Sequence, residues 1–153
     1  SRPLLVEVQA LANPTKFSTP RRMAVGIDSN RMILLVAVLE RFGGLALAEC
    51  DLFLNAVGGL ALREPASDLA VAAALISAVR GKPLPADAVF FGELGLLGEA
   101  RPVAQSEARL REASHHGFRR AFAPRAEGLR VPRGLTLTAI EDLGDLAAEL
   151  ARA

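Results

Sequence analysis

The sequence predicts an α+β fold in which sheet and helices pack against one another, and three observations carry the prediction. Strand-type and helix-type patterns alternate along the chain. Helix boundaries are marked by residue type, with Asp28 and Pro65 opening helices and Gly43-Gly44, Gly81 and Gly117 closing them. The 153 residues are 51% apolar and 23% charged, the balance of a globular domain. One domain of this length buries roughly 70% of the surface its unfolded chain exposes, enough for a proper core.

Each element has its own reason. Leu4, Val6, Val8 and Ala10 alternate with Leu5, Glu7, Gln9 and Leu11, a period of two that reads as a strand over residues 4–11. Residues 13–22 read as a polar, basic loop holding Pro14 and Pro20. Asp28 caps a helix to about Phe42, stopped by Gly43-Gly44. Residues 33–39 are apolar on all sides, so a buried strand is a rival there; length and the cap favour the helix. Residues 51–57 form a short strand. Pro65 suits the first turn of a helix that runs to Arg80 and ends at Gly81. Residues 88–93 read as a strand, and Gly95 and Gly98 mark a turn, a small hairpin. Residues 106–116 are amphipathic, with Leu110 and Ala113 on one side and Gly117 as the stop. Two short strands follow at 119–123 and 135–140. A closing helix over 142–153 puts Leu143, Leu146, Ala147 and Leu150 on one face. There is no internal repeat and no low-complexity tail.

Composition narrows the function. Net charge is +1, so any polyanion site has to come from local clustering. Cys50 is the single cysteine, expected as a small buried apolar residue; it permits no intrachain disulfide, and no Cys/His metal spacing exists. The longest near-apolar run, residues 69–79, is too short to span a bilayer as a helix, and no signal peptide opens the chain. No membrane association and a cytoplasmic compartment are expected. The chain starts at Ser1 without a Met and enters a strand at once, which reads as the C-terminal piece of a longer protein.

The candidate sites are few. A Ser–Lys dyad needs a hydroxyl and a neutral amine within hydrogen-bond reach. Only Lys16 and Lys82 are available, one in a loop and the other just past a helix C-terminus. Ser67 reads as a first-turn polar residue satisfying backbone N–H groups. His115 and His116 are adjacent and point different ways, a solvated helix end rather than a metal site. Gly92-Glu93-Leu94-Gly95-Leu96-Leu97-Gly98 lacks the Lys-Ser/Thr of a Walker A loop and reads as a turn. Two basic clusters remain, Lys16, Arg21 and Arg22 in one loop and Arg119, Arg120 and Arg125 around a strand. Arginine clamps phosphate bidentately. With seven Phe and no Trp or Tyr, contact with a duplex backbone is a better reading than base stacking.

Residues 2–11, Pro20-Arg21-Arg22-Met23-Ala24-Val25-Gly26-Ile27-Asp28, residues 51–59, Glu64-Pro65-Ala66-Ser67-Asp68-Leu69-Ala70, residues 91–103 and His116-Gly117-Phe118-Arg119-Arg120-Ala121 together resemble, in order, the C-terminal domain of the RadA (Sms) family of bacterial DNA-repair proteins. The resemblance covers nearly the whole chain and implies a single Lon-protease-like domain over 1–153. Lon peptidases place Gly-Pro-Ser-Ala-Gly where this chain has Glu64-Pro65-Ala66-Ser67-Asp68, which sets Ala66 at the nucleophile. Their Pro-Ile-Gly-Gly-Leu-Lys-Glu-Lys matches Pro102-Val103-Ala104-Gln105-Ser106-Glu107-Ala108-Arg109, which sets Glu107 at the lysine. Both halves of the dyad are replaced, so the resemblance implies no catalytic residue and no metal site on this chain. It further implies a hexameric ring, double-stranded or branched DNA as partner during branch migration, and a RecA-type recombinase met through the parent protein. ATP, magnesium and zinc belong to a RecA-like ATPase and a zinc finger absent from this chain. Lys16, Arg21, Arg22, Arg119, Arg120 and Arg125 are the DNA candidates. The rival readings are a serine peptidase using Ser67 and an oligomerisation module without DNA contact.

Overall fold

The computed structural model describes residues 3–16, 18–58 and 62–153. Arg2 and Gly59, quoted in the resembling segments, lie outside them. The fold is mixed α+β, with sheets packed against helices.

The first sheet holds β1 (Glu7–Pro14), β2 (Arg22–Val25) and β3 (Cys50–Val57) in the order β1-β3-β2. It is mixed, since β1 runs antiparallel to β3 and β2 parallel to it. The registers Leu11↔Phe53 and Met23↔Phe53 place one side chain from each strand in a row. The opposite face, carrying Leu52, Leu54 and Ala56, is buried under helices α1 (Ser29–Phe42) and α2 (Asp68–Arg80).

The second sheet is wholly parallel, with β4 (Ala88–Phe90), β7 (Arg120–Ala123) and β8 (Thr136–Ala139) in the order β4-β7-β8. Phe90 and Phe122 are register partners, and their rings stack at 4.8 Å. Phe122 and Ile140 enter the main core with α1, α2 and α4 (Leu143–Arg152). Ala121, Ala123 and Leu135 instead join Phe91 and Leu110 in a second cluster beneath α3 (Ser106–His115). Both faces of this sheet are therefore covered, as parallel sheets require. A two-stranded hairpin, β5 (Glu93–Leu94) and β6 (Ala100–Arg101), completes the strands.

The helices form where their caps place them. Asp28 accepts the Arg31 N–H at 3.3 Å and starts α1, so the helix prevails over the strand alternative for residues 33–39. Gly81, at φ +67°, closes α2 in the left-handed conformation. Asp142 accepts the Asp145 N–H at 2.7 Å and starts α4.

Several expectations need correction. The first strand lies at 7–14 rather than 4–11: Asn13 and Pro14 pair with Asp51 and Cys50, while Leu4 and Leu5 are exposed before the ladder begins. Arg22 is the first residue of β2 rather than the end of a loop. The strand expected at 88–93 is two strands, broken at Gly92, whose φ of +149° and close approach to the Pro124 ring exclude any side chain. Cys50 is half-buried rather than buried, because it opens β3 at the sheet margin. The strand read at 135–140 is β8, trimmed by one residue at each end. The strands divide into two three-stranded sheets and a two-stranded hairpin.

Candidate functional site

The stretch preceding α2 is a 3-10 turn, Pro65–Ser67, fixed by two flanking contacts. The Gly92 N–H donates to the Ala66 carbonyl at 2.8 Å, and the Leu69 N–H donates back to the Gly92 carbonyl at 3.1 Å. The turn is thereby laced to the chain leaving β4. Ala66 is buried, and its methyl lines a cleft of about 730 Å3 shared with Leu4, Leu5, Ser67, Phe91 and Arg109. A methyl offers no attacking atom. One residue on, the Ser67 hydroxyl donates to the Glu64 carbonyl at 2.8 Å. Arg109 spans the cleft wall to Glu64, Nη2 to Oε1 at 2.9 Å, and its Nε donates to the Ala104 carbonyl.

No lysine serves this cleft among the described residues. Lys82 Nζ donates to the Ala151 carbonyl at 2.6 Å, at the C-terminal end of α4. Lys16 lies in the loop after β1. Glu107, expected opposite Ala66, turns elsewhere on α3. Its Oε1 accepts the Arg130 N–H at 3.1 Å and its Oε2 lies 3.4 Å from Arg111 Nη1, so it fastens the loop after β7 to the helix. A helix rotates about 100° per residue, which sends Arg109 to the cleft and Glu107 away from it.

Next to this turn lies the most deeply buried charge of the described residues. Asp68, 1% exposed, receives Arg31 through both Nε and Nη2 and also accepts the Leu94 N–H at 3.0 Å. This carboxylate joins α1, α2 and the β5–β6 hairpin at one point. Its hydrogen bond raises the Arg31 pKa further above its ordinary value, against a smaller opposing effect of burial. Sequence reading missed the pair because Arg31 and Asp68 are 37 residues apart.

The six basic candidates do not converge. Lys16, Arg21 and Arg22 flank the first sheet, whereas Arg119 and Arg120 sit at one end of β7 and Arg125 beyond the other. Arg22 is held inward by the Cys50 and Leu47 carbonyls, the latter at 2.8 Å. Arg120 pairs with Asp87 at 2.8 Å. The Arg21 backbone N–H donates to Asp51 Oδ1 at 2.7 Å, which is the largest cause holding the Asp51 pKa below its ordinary value. The Arg21 guanidinium also reaches Asp51 Oδ2 at 3.4 Å. Arg119 and Arg125 are exposed, and their side chains make no hydrogen bond or ion pair with other described residues.

His115 and His116 meet edge to face at 5.6 Å, with His116 Nε2 2.8 Å from Glu112. Among the described residues, no three His, Cys, Asp or Glu side chains gather as a metal would require, and no helix is long and apolar enough to cross a membrane.

Comparison with known proteins identifies relatives over nearly the whole chain. The family described as subunit ChlI of Mg-chelatase matches residues 56–127, from the end of β3 past β7. The DNA repair protein RadA of Escherichia coli (strain K12) is 47% identical over 146 residues, 95% of this chain and 32% of that protein. RadA of Pseudomonas aeruginosa is 49% identical over 144 residues, 94% of this chain and 32% of that protein. RadA of Haemophilus influenzae is 53% identical over 124 residues, 81% of this chain and 27% of that protein. The chain is thus a homologue of one part of the DNA repair protein RadA, spanning about a third of the length of those relatives.

Proposed function

We propose that this chain is a non-catalytic, Lon-like domain that scaffolds a ring in a RadA-type repair protein and contacts duplex DNA through exposed arginines. The observation that carries the reading is the turn before α2: Ala66 occupies the peptidase nucleophile position, and the neighbouring Ser67 hydroxyl is bonded to a backbone carbonyl with no lysine at hand. The register behind that alignment has independent support. Gln105 matches a glycine of the Lon pattern, and it is the one non-glycine among the described residues with positive φ, +61°. A position built for glycine has kept its backbone conformation after the residue changed.

Arg119 and Arg125 are the best-placed phosphate contacts of the six candidates, because their guanidinium groups are not engaged by the chain itself. Arg22 and Arg120 are held by internal partners and rank below them. In this reading, hexamer formation, branch migration and contact with a recombinase are properties of the parent protein. ATP, magnesium and zinc are bound by its other domains.

Two assays test the proposal. Incubation with an unfolded protein substrate is expected to give no cleavage; cleavage that disappears in Ser67→Ala would establish the peptidase reading instead. In duplex-DNA binding across a salt series, replacing Arg119 and Arg125 with Ala is expected to reduce the salt slope by about 1 each. An unmoved slope would remove these residues from the interface, and absence of any binding would leave a pure oligomerisation module.

A further inference from the structure

We infer that the cleft beside Ala66 holds an extended segment of a partner protein, paired as an added strand on the outer edge of β4, with apolar residues alternating with arginine or lysine. The inference goes beyond the scaffold reading and stands apart from ring closure and DNA contact.

The open edge follows from the parity of the parallel sheet. The Asp87 carbonyl accepts the Arg120 N–H at 3.1 Å, and the Phe91 N–H donates to the Phe122 carbonyl at 3.1 Å. Asp87, Val89 and Phe91 therefore turn their backbone groups toward β7, and Ala88, Phe90 and Gly92 turn theirs away from it. Both ends of that outer row are closed. The Ala88 N–H donates to the Pro85 carbonyl at 3.3 Å, and Gly92 is bonded through both its groups to Ala66 and Leu69. Between these ends the Ala88 carbonyl, the Phe90 N–H and the Phe90 carbonyl are left beside the cleft, bonded to no other described residue. An open edge of this kind takes up an extended chain as a further strand.

An antiparallel segment uses all three groups. Its residue opposite Phe90 exchanges both bonds with Phe90, and the N–H two residues farther on meets the Ala88 carbonyl. The walls then sort its side chains. Residues level with Ala88 and Phe90 share the side on which those two pack against the main core. There the cleft is lined by Val6, Ala70 and Ala74, which are apolar and, on α2, small. The intervening residues share the side of Val89, which packs with the cluster beneath α3. There the lining includes Arg109, Glu112 and Phe118. Apolar and polar positions of the segment thus alternate. At the mouth, Leu4 and Leu5 are 73% and 41% exposed, apolar surface that the segment covers.

Charge selects the polar residues. The carboxylates of Glu7, Glu64 and Glu112 line the cleft against the single guanidinium of Arg109. Arg109 is held by Glu64 at 2.9 Å, and Glu112 lies 2.8 Å from His116. The lining is therefore negative within a domain of net charge +1, and the complement is a segment bearing cations. At about 730 Å3 the cleft has the size of a ligand site. The Ala66 methyl stands on its wall, so a bound segment meets no attacking atom at that position.

Fluorescence anisotropy with the fluorescein-labelled peptide Gly-Val-Arg-Val-Arg-Val-Gly, at about 0.15 M salt, tests this. Saturable binding to the unmodified chain is expected. The Val N–H groups face β4 in the paired strand and the Arg N–H groups face away. N-methylation of the three Val residues is therefore expected to weaken binding more than about tenfold, and N-methylation of the two Arg residues by about twofold or less. Replacing both Arg with Glu is expected to weaken binding about tenfold. Ala70→Leu, which fills the cleft, is expected to do the same with circular dichroism unchanged. Should that variant unfold, Glu112→Gln carries the comparison by narrowing the gap between the Arg and Glu peptides. Absence of saturable binding up to millimolar peptide overturns the site and leaves the scaffold reading standing. Binding that ignores which residues are N-methylated overturns the strand pairing, and equal binding of the Arg and Glu peptides overturns the charge assignment. Mass spectrometry is expected to recover the peptide intact; a bound peptide that is cleaved overturns the non-catalytic reading and leaves the peptide site in place.

Discussion

The two three-stranded sheets are of equal strand number but opposite circumstance. The parallel sheet is sealed, with Phe122 in the main core on one face and Ala121 and Ala123 beneath α3 on the other. The mixed sheet is sealed on one face only, by α1 and α2 over Leu52 and Leu54, and its other face keeps Leu11, Met23 and Val25 in water. Alternating parity along a strand normally sorts apolar from polar, and the outward positions Leu11, Met23 and Val25 depart from that pattern. In this comparison the closed sheet organises the domain, and the open one presents an apolar row to solvent.

The largest expected effect comes from cutting the clamp where the helices over the open sheet meet the hairpin. Asp68→Ala removes the carboxylate that holds Arg31 and the Leu94 N–H, and is expected to cost about 3–5 kcal/mol in urea unfolding. A loss below about 1 kcal/mol would mean the helices and hairpin are held by packing alone. Next, the two faces of the open sheet should respond differently to truncation. Leu52→Ala, at a fully buried position, is expected to cost about 2–5 kcal/mol. Met23→Ala on the outer face is expected to change stability by less than about 0.5 kcal/mol. Equal costs on both faces would contradict the distinction.

Two smaller effects sharpen the picture. Gln105→Gly relieves a positive φ at the start of α3 and is expected to stabilise the chain by up to about 1 kcal/mol, read as a raised Tm. Destabilisation instead would show that the Gln side chain earns its place. Asp51 secures the loop between β1 and β2 to the open sheet, with its folded pKa depressed chiefly by the Arg21 N–H. A depressed carboxylate contributes stability above its unfolded pKa of about 3.9, and loses it as pH falls through the folded value. Asp51→Asn is therefore expected to be less stable than the parent at neutral pH, the gap narrowing below about pH 4. A gap independent of pH would mean the charge plays no part.

What the sequence disclosed follows from the range over which each feature is determined. The helices were legible because caps are local: Asp28, Gly81 and Gly117 lie within a few residues of the ends they set. The strand β2 was not, since it is four residues long and exists through parallel pairing with β3 some thirty positions on. The bounds of β1 were misjudged for the same reason, as they are fixed by the pairing of Glu7 with Val57 and of Pro14 with Cys50 rather than by the strand's own alternation. The reading of Ala66 came from a local motif, whereas the placement of Glu107 against Arg130 depends on a loop that folds back across 23 residues. The basic residues show the limit most clearly. Arg21 and Arg22 are adjacent in sequence, yet Arg22 is turned in to two carbonyls while the Arg21 side chain remains mostly exposed.

The scaffold account is tested most directly by light scattering on the unmodified chain across a concentration series from micromolar to millimolar. The account predicts a mass that climbs from one protomer toward a closed multiple and levels there. A mass fixed at one protomer throughout would contradict it.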